Sequence, residues 1–455
     1  MKNLRRTSIW ALTAILAIGG ATAHAQSNDE IQTGSQFNFS TPGARSLGLG
    51  GAFLAAADDA TAAYANPAGL TQLSKPEASL EARAWTFRSL YADQGHTPET
   101  GLTGIGVDTL DGLQEGSLTD RTDGLSFLSF VYPKGRWSLA LYRHQLAKFE
   151  ASLKARGPFL GPRTATERIR PTRSSLSLEV VNFGLSAAYR LSDSLSLGLG
   201  ISSFELDLAS TTHRYGLVQP TGDPRVDSLT GNFYGPADFR DENINNTQFQ
   251  QGDDQATAAS FGLLWKVNTE WSVGAVYRQG PVFDFTATFV DGPASPNPGV
   301  VDPSLGGDGR YHVPDVYGLG LAYRPTESVL VTFDWDRVEY SDLTIETVNL
   351  LRAFDNDPDG RFEVDDADEL HLGFEYLGLQ SKMPWSLRLG VWHDPDHKVR
   401  YEGTNPSLQT RFRPGDDEVH VAGGLGLVVR KLQIDVAVDL SDRVDTVALS
   451  MVARF

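Results

Sequence analysis

The chain has 455 residues, contains no cysteine and carries a formal net charge of −18 at pH 7. The lack of cysteine excludes disulfide frameworks, thiolate catalysis and cysteine-ligated zinc, and the acidic charge argues against nucleic acid, whose phosphates require clustered Lys and Arg. The 45 glycines and an aromatic share of 10% suit a lipid-facing barrel, in which every second residue is polar or small.

The first 25 residues have the layout of a secretion signal. A positive n-region precedes an apolar run at 9–18, and Ala23-His24-Ala25 supplies the small residues that a signal peptidase reads. The run is shorter than the roughly 20 residues that a membrane-spanning helix needs. We therefore expect cleavage before Gln26 rather than a membrane anchor.

Residues 43–70 read GARSLGLGGAFLAAADDATAAYANPAGL, a glycine-rich turn followed by an Ala-rich run and an Asn-Pro end. Glycine permits a positive φ, Asp58 and Asp59 are placed to cap a helix at roughly 59–64, and Asn66 should end it because a residue before proline avoids the helical region. The stretch predicts a compact plug. A disordered linker and a dinucleotide fold are the alternatives, although the glycine spacing does not fit G-x-G-x-x-G. The residues of this motif are Gly43, Gly48, Gly50, Gly51, Asp58, Asp59, Asn66, Pro67 and Ala68.

This motif resembles the N-terminal hatch of the FadL-type family, outer-membrane transporters for long-chain fatty acids and other hydrophobic compounds. The resemblance implies a hatch inside a barrel and passive uptake of a hydrophobic small molecule, which movement of the hatch releases laterally through the wall. The domains expected are a signal peptide at 1–25, a hatch at 26–75 and a transmembrane barrel at 76–455.

From about residue 77 onward, period-2 segments alternate with short turns and long polar loops. The candidate strands are 77–91, 122–132, 136–152, 174–190, 194–213, 256–267, 270–289, 312–324, 327–348, 368–378, 384–401, 417–430, 431–441 and 443–455. About 14 strands, with short links alternating with long ones, predict an all-β antiparallel barrel with periplasmic turns and extracellular loops. The barrel should be closed, because an open edge would leave unpaired backbone groups in hydrocarbon.

The facing of the strands follows from their alternation. From Trp385 to Val391 the odd positions are apolar and should meet lipid and lipopolysaccharide, which places Arg388 in the lumen. Aromatic residues such as Tyr189 flank the short turns, as an interfacial girdle requires. The last strand ends its outward stripe in Phe455, which resembles the signal read by the outer-membrane assembly machinery.

Lumenal cations and two aromatic residues are the candidate ligand contacts. The cations are Arg190, Lys266, Arg324 and Arg388, and the aromatic residues are Phe37 and Phe39. A guanidinium can hold a fatty acid carboxylate through charge-assisted hydrogen bonds. The alternative is that these cations pair with lumenal carboxylates and brace the wall against the plug, and that the aromatic residues pack the plug. The carboxylates considered are Asp334, Glu375 and Asp439.

Residues 355–366 read DNDPDGRFEVDD and follow the spacing of a calcium-binding loop. Asp355, Asp357, Asp359 and Asp366 occupy positions 1, 3, 5 and 12, and Gly360 occupies the position of the sharp turn. Position 12 is Asp rather than the longer Glu, and strands rather than helices flank the loop. The alternatives are therefore a weak Ca²⁺ site and a solvated acidic loop.

No catalytic motif stands out, and His393, Asp394, Asp396 and His397 form only a loose cluster. We expect neither enzymatic activity nor an organic cofactor. The prediction is a monomeric outer-membrane barrel of about 14 strands that, as the resemblance implies, takes up long-chain fatty acids or similar hydrophobic molecules. The alternatives are uptake of aromatic hydrocarbons, a structural role in a secretion assembly, and a general porin.

Overall fold

The structure is a computed structural model that describes residues 39, 41–97, 112–160, 167–216, 237–301, 306–344 and 360–455. No helix within these ranges is long and apolar enough to cross a membrane. The helices are α1 (Ala44–Gly48), α2 (Ala62–Ala65) and α3 (Pro406–Arg411), with 3-10 helices at Pro67–Gln72, Asp241–Asn243 and Tyr340–Thr344. The strands are β1 (Glu77–Gly95), β2 (Leu113–Lys134), β3 (Trp137–Ala155), β4 (Phe159–Leu160), β5 (Glu167–Arg168), β6 (Thr172–Arg190), β7 (Leu195–Tyr215), β8 (Ile244–Lys266), β9 (Trp271–Arg278), β10 (Val282–Asp291), β11 (Gly307–His312), β12 (Val316–Thr326), β13 (Val329–Val338), β14 (Arg361–Glu363), β15 (Ala367–Gly378), β16 (Trp385–Asp394), β17 (Arg400–Glu402), β18 (Glu418–Val429), β19 (Leu432–Leu440) and β20 (Val444–Arg454).

The described strands form a closed antiparallel barrel, which confirms the predicted fold class. Sixteen segments make up the wall, and β1 closes it by pairing with β20. Since β9 and β10 pair with successive parts of β8, they are two halves of one wall strand, and β11 and β12 are the halves of the next. The wall therefore has 14 strands.

The segment predicted as one continuous strand at 270–289 is broken, and the strand predicted at 312–324 begins only at Val316, after the separate strand β11. β9 ends at Arg278 and β10 begins at Val282, while β11 ends at His312 and β12 begins at Val316. Pro281 and Pro314 lie in these breaks, and proline has no N–H to donate to a ladder. The break also reverses the alternation, because Arg278 faces the lumen from an even position and Phe283 from an odd one.

Other strand limits differ from the prediction at the end of the barrel that carries the long loops, here called the long-loop end. The strand predicted at 256–267 begins at Ile244, whereas those predicted at 327–348 and 384–401 end at Val338 and Asp394. The early start of β8 was missed because its outward residues there are polar, as those of a loop are. The strands predicted to end at 348 and 401 are too long, because each prediction included residues of the following loop.

The wall continues beyond the part that faces lipid, as β7 shows. Leu199 and Ile201 face outward and are more than half exposed, but the next outward residues include Glu205 and Asp207. At the same level the inward residues change from glycine to buried apolar side chains such as Leu206. The long-loop end is therefore polar outside and apolar inside, the reverse of the lipid-facing belt.

The opposite end carries the short turns and is here called the short-turn end. Aromatic rings pair there across neighbouring strands, with ring centroids 4.3 Å apart for Trp271 and Tyr323 and 4.5 Å apart for Trp137 and Tyr189. Rings at one height on adjacent strands form the girdle expected at a membrane interface.

Residues 41–73 fold inside the barrel and are here called the hatch. The predicted helix at 59–64 is shorter than expected: Asp59 Oδ1 accepts the N–H of Thr61 at 2.9 Å, and α2 begins only at Ala62. Its predicted end is confirmed, because Asn66 is extended, with φ −153° and ψ 102°, directly before Pro67.

The hatch backbone lies directly against inward-facing glycines of the wall. A Cβ on Gly390 would come within 2.1 Å of Gly50 N, and one on Gly274 within 2.4 Å of Leu54 O. Gly50 has a positive φ of 65°, which glycine adopts without strain. Small wall residues are thus what allows a folded segment to fit inside a barrel of this size.

We expect Gly390→Val to displace the hatch without opening the wall. Valine favours strands, so β16 should keep its ladders, but its side chain would occupy the space of the Gly50 backbone. Single-channel conductance in planar bilayers should rise, while the heat-modifiable gel mobility of a folded barrel is retained.

The matched control is Gly423→Val on the neighbouring strand β18. Gly423 faces lipid, and the nearest atom to an added Cβ there is Arg388 O at 3.8 Å. This variant should conduct like the wild type. An unchanged conductance in Gly390→Val would show that the hatch does not limit the pore.

Candidate lumenal site

Glu375 on β15 joins the hatch to the wall. Its Oε1 accepts from Arg45 Nε at 3.0 Å and from Arg388 Nε at 2.8 Å, and its Oε2 accepts from Arg45 Nη2 at 2.9 Å. Arg388 also donates to Asp435 Oδ1 at 2.7 Å, and Arg45 to Asp58. The side chains of Glu375, Arg388 and Asp435 are at most 1% exposed. Each charge is stable in this buried position only because an opposite charge contacts it.

Two further wall residues hold the backbone of the hatch. Asp334 Oδ2 accepts the N–H of Phe53 at 2.6 Å and that of Leu54 at 2.8 Å. His371 Nδ1 lies 2.7 Å from Gly50 O. A carbonyl oxygen only accepts, so we assign the proton of this imidazole to Nδ1.

Asn66 explains the Asn-Pro-Ala part of the sequence motif. Its Nδ2 donates to Leu54 O at 2.9 Å within the hatch and to Leu263 O at 3.1 Å in the wall. Its Oδ1 accepts the N–H of Ala68 at 3.1 Å and so caps the 3-10 helix that begins at Pro67. One side chain thereby fixes both the hatch turn and its attachment.

The cations predicted from the sequence are not gathered around one pocket. Arg190 donates to the hatch backbone at the short-turn end, and Arg324 lies there 3.6 Å from Asp58 with Lys266 nearby. Arg388 lies farther along the lumen, between two carboxylates. These positions favour the alternative in which the cations brace the wall against the hatch.

Apolar side chains line the lumen toward the long-loop end, and Phe39 packs among them with its ring 6.0 Å from that of Tyr340. The buried members include Leu146, Phe149, Leu178, Phe204, Leu206, Phe283, Phe285, Val338 and Tyr340. We call this set the apolar lining. The other predicted aromatic contact, Phe37, lies outside the described residues.

Two cavities adjoin Phe39 in this part of the lumen. The larger has a volume of ≈ 70 Å³, with Phe87 and Tyr340 among its lining residues. The smaller has a volume of ≈ 30 Å³ and is bordered by Tyr142 and Phe204. Phe39 thus occupies the position between the two cavities.

The larger cavity has a polar end next to the hatch that strand prediction alone did not identify. We call these residues the polar end: Asp336, Glu369, His371, Trp392, His420 and Asp439. All occupy inward positions of their strands. The sequence does indicate their direction: in each of these strands a titratable or indole side chain alternates with lipid-facing residues and therefore points into the lumen.

The ladder between β2 and β3 stops within the wall. Its last pair is Phe127 with His144, beyond which the described part of β2 pairs only with β1, and β3 only with β6. A bulge between Gln145 and Ala147 turns β3 at this level. Contacts across the gap include Thr122 Oγ1 to Lys148 O at 3.3 Å. The wall therefore has a discontinuity that side chains, rather than a ladder, close.

Most of the predicted calcium loop lies outside the described residues, namely Asp355, Asp357 and Asp359. Asp366 is described: its Oδ2 accepts from Arg337 Nη2 at 3.0 Å, and its Oδ1 accepts the N–H of Ser341 at 3.1 Å. No group of three His, Cys, Asp or Glu side chains in the described ranges is arranged to hold a metal ion. The calcium site stays a prediction.

The segment after β16 covers part of the lumen at the long-loop end. The His397 ring stacks on Tyr340 at 4.2 Å, and its Nδ1 lies 3.3 Å from Asp394 Oδ1. Asp396 accepts the backbone N–H groups of Lys398 and Gly415. The loose cluster seen in the sequence therefore shapes this loop.

The family model for outer membrane protein transport proteins (OMPP1/FadL/TodX) matches residues 166–443. Solved structures that resemble the barrel include a Pseudomonas aeruginosa FadL homologue, which is 14% identical, with 92% of this chain and 99% of that one covered and a TM-score of 0.61. The P. putida toluene transporter TodX (15%, 92% and 99%, 0.54) and the CymD monoaromatic hydrocarbon channel (15%, 92% and 99%, 0.50) are also similar. Identities this low show a shared fold. No curated protein sequence matches the chain significantly.

We expect Arg388→Ala to destabilise the barrel rather than to discriminate between ligands. The variant would leave Glu375 with one partner fewer and Asp435 without its guanidinium, and breaking a buried pair costs about 3–5 kcal/mol. Urea unfolding in detergent should show this loss, and Arg324→Ala, at a partly exposed site, should cost less than ~1 kcal/mol. A selective loss of fatty acid binding over that of the matching alcohol would instead assign Arg388 to the ligand.

The loop at His397 should lose stability in alkali. Burial alone would lower the pKa of His397, but the neighbouring Asp394 carboxylate more than compensates and raises it to about 9. The resulting stabilisation is complete below the unfolded pKa of ~6.5 and is lost as the pH rises through about 9. Thermal unfolding between pH 7 and pH 10 should show a smaller decrease in His397→Gln than in the wild type, whereas His393→Gln, at a more exposed position, should behave like the wild type. Equal decreases in all three proteins would contradict this assignment.

Proposed function

The chain belongs to the family of outer membrane transport proteins (OMPP1/FadL/TodX), and on this premise we propose that it takes up long-chain fatty acids or other hydrophobic small molecules and releases them laterally through its wall. Membership makes it an outer-membrane transporter of hydrophobic compounds rather than an enzyme. The proposal adds the ligand class and the route.

The observation that carries the route is the position of the gap between β2 and β3. Leu125 and Leu128 face outward on either side of the level at which the ladder ends, and they are 40% and 44% exposed. Leu146, at the bulge of β3, belongs to the apolar lining. A hydrophobic ligand would therefore meet apolar side chains on both sides of the discontinuity.

The hatch supports a lateral rather than an axial exit. Its backbone is packed on wall glycines and tied by Glu375, Asp334 and His371, so the way to the short-turn end is filled by folded chain. An apolar solute gains little from a water-filled pore but gains free energy from an apolar lining. The ligand would enter at the long-loop end, bind beside Phe39 and leave through the gap.

A monoaromatic hydrocarbon is the second candidate ligand. TodX is described as a toluene transporter and CymD as a monoaromatic hydrocarbon channel. In this chain, aromatic rings border both cavities, among them Phe39, Phe87, Tyr142 and Tyr340. Such rings pack favourably against a planar ligand in edge-on or offset contacts.

We further propose that the barrel has the membrane partners and the oligomeric state expected from the sequence. The exposed apolar belt would meet outer-membrane lipid and lipopolysaccharide. The outward stripe of β20 with Phe455 would be read by the assembly machinery. The closed barrel would then work as a monomer.

Filling the gap should slow transport while leaving binding intact. We expect Gly124→Trp to lower fatty acid uptake several-fold in outer-membrane vesicles. A Cβ at this position would have only the Gln145 amide within 4 Å, so the indole has room to extend into the gap. Affinity for the same ligand, measured by fluorescence titration, should stay unchanged because the apolar lining is untouched.

The control is Ser177→Trp, which adds the same bulk on the outward face of β6 at the polar long-loop end. Its uptake rate should equal that of the wild type. Wild-type uptake by Gly124→Trp would rule out an exit between β2 and β3.

A further inference from the structure

We propose that the polar end of the larger cavity is a head-group site for an amphiphile whose head donates hydrogen bonds, an alkylamine rather than a carboxylate. The apolar lining would receive the chain of the same molecule. The inference rests on the part of the proposed function that gives a hydrophobic small molecule as the ligand, and within that class it favours an amine over a fatty acid.

Asp439 supplies the first free acceptor. Its Oδ2 lies 3.2 Å from Trp392 Nε1, which donates to it, and 3.2 Å from His420 Nδ1. Its Oδ1 has no hydrogen-bond partner among the described residues, although Asp439 is only 4% exposed. A buried carboxylate oxygen without a donor is costly unless a water or a ligand supplies one.

A second carboxylate oxygen without a donor lies near His371. Its Nδ1 is used on Gly50 O, while its Nε2 faces Glu369 Oε2 at 3.4 Å and Asp336 Oδ2 at 3.7 Å. Asp336 Oδ1 has no hydrogen-bond partner in the described part of the chain. Even with His371 doubly protonated, a single N–H faces the carboxylates of both Asp336 and Glu369, so Asp336 Oδ1 is left without a donor.

The size of the polar end limits what can bind there. The Trp392 ring is stacked between two imidazoles, with centroid distances of 5.1 Å to His371 and 3.8 Å to His420. Both faces of the ring are covered, so Trp392 contributes its Nε1–H to Asp439 rather than an open aromatic surface. The cavity volume of ≈ 70 Å³ exceeds the roughly 10–15 Å³ that one water requires. It thus accommodates a small head group, and the chain would extend along the apolar lining.

A carboxylate head would meet the opposite conditions. It would bring more acceptors and a negative charge next to Asp336, Glu369 and Asp439, which repel it. Arg278 also borders the cavity: its Nη1 donates to Ala65 O at 3.1 Å, and its Nε has no hydrogen-bond partner among the described residues. One guanidinium is thus set against three carboxylates. An ammonium group instead brings three donors to oxygens that lack them.

The test compares three ligands with one chain length on the full protein in detergent at pH 7: dodecylamine, dodecanol and dodecanoate. We expect the amine to bind at least about tenfold more tightly than the acid, the difference that one charge-assisted hydrogen bond gives, with the alcohol between them. In Asp439→Asn this preference should largely disappear. In Asp445→Asn, which removes a charge paired with Arg88 near the turn after β19, it should persist.

Equal or tighter binding of dodecanoate would overturn the inference, as would a preference that survives in Asp439→Asn. If Asp439→Asn does not fold, Asp336→Asn is measured in the same way, with the same expected loss. Binding of all three ligands without preference would refute the head-group site alone. If none of the three ligands bound, both the head-group site and the proposed function would be refuted.

Discussion

The bidentate ion pair between Arg45 and Glu375 is the interaction on which the interior depends. Glu375 is fully buried, and it tolerates that position because Arg45 approaches from the hatch and Arg388 from the wall. The cost of burying these charges is offset only when hatch and wall are both folded. The plug is therefore bound by directed contacts rather than by shape alone, and glycines such as Gly390 let its backbone come close enough to make them.

A reversal of strand faces divides the lumen into two parts. Along β7, the residues that face lipid alternate with small inward residues such as Gly198, which lies against the hatch, whereas outward acidic residues such as Asp207 alternate with buried leucines such as Leu208. One strand thus serves two surroundings without a change in its backbone geometry. The apolar lining lies in the part of the barrel that extends beyond the lipid-facing belt, so a hydrophobic ligand would find an apolar surface before it reaches the hatch.

Local features were predictable from the sequence because their causes are local. The lumenal facing of Arg388 follows from period-2 alternation, and the helix end at Asn66 follows from the steric effect of Pro67. The partners of Arg388 were harder to predict from the sequence. The sequence offers Glu375 only as one of several carboxylates, because its contact with Arg45 joins residues 330 positions apart and no local pattern specifies such a pairing.

The misplaced strands have a common cause. The β9–β10 break at Pro281 was overlooked because apolar residues continue on both sides of it, and the alternation was followed without regard to its reversal. The wall extension of β8 was mistaken for a loop because its outward residues are polar. In both cases a rule for lipid-facing strands was applied to a part of the barrel where that rule does not hold. The polar end has a different cause: its members come from five strands, and the sequence does not show that these positions lie at one level of the barrel.

The closure of the barrel through β1 and β20 has a consequence for assembly. This ladder joins residues such as Glu77 and Arg454, so it carries a larger loop-closure entropy than the pairings between neighbouring strands and is expected to form late. The hatch precedes β1 in the chain, yet it contacts the strands synthesised last, with Ala44 N donating to Ser450 Oγ at 3.1 Å. We therefore expect a segment enclosed in this way to be in place before the last pair of strands joins, so that it brings the two ends of the sheet together.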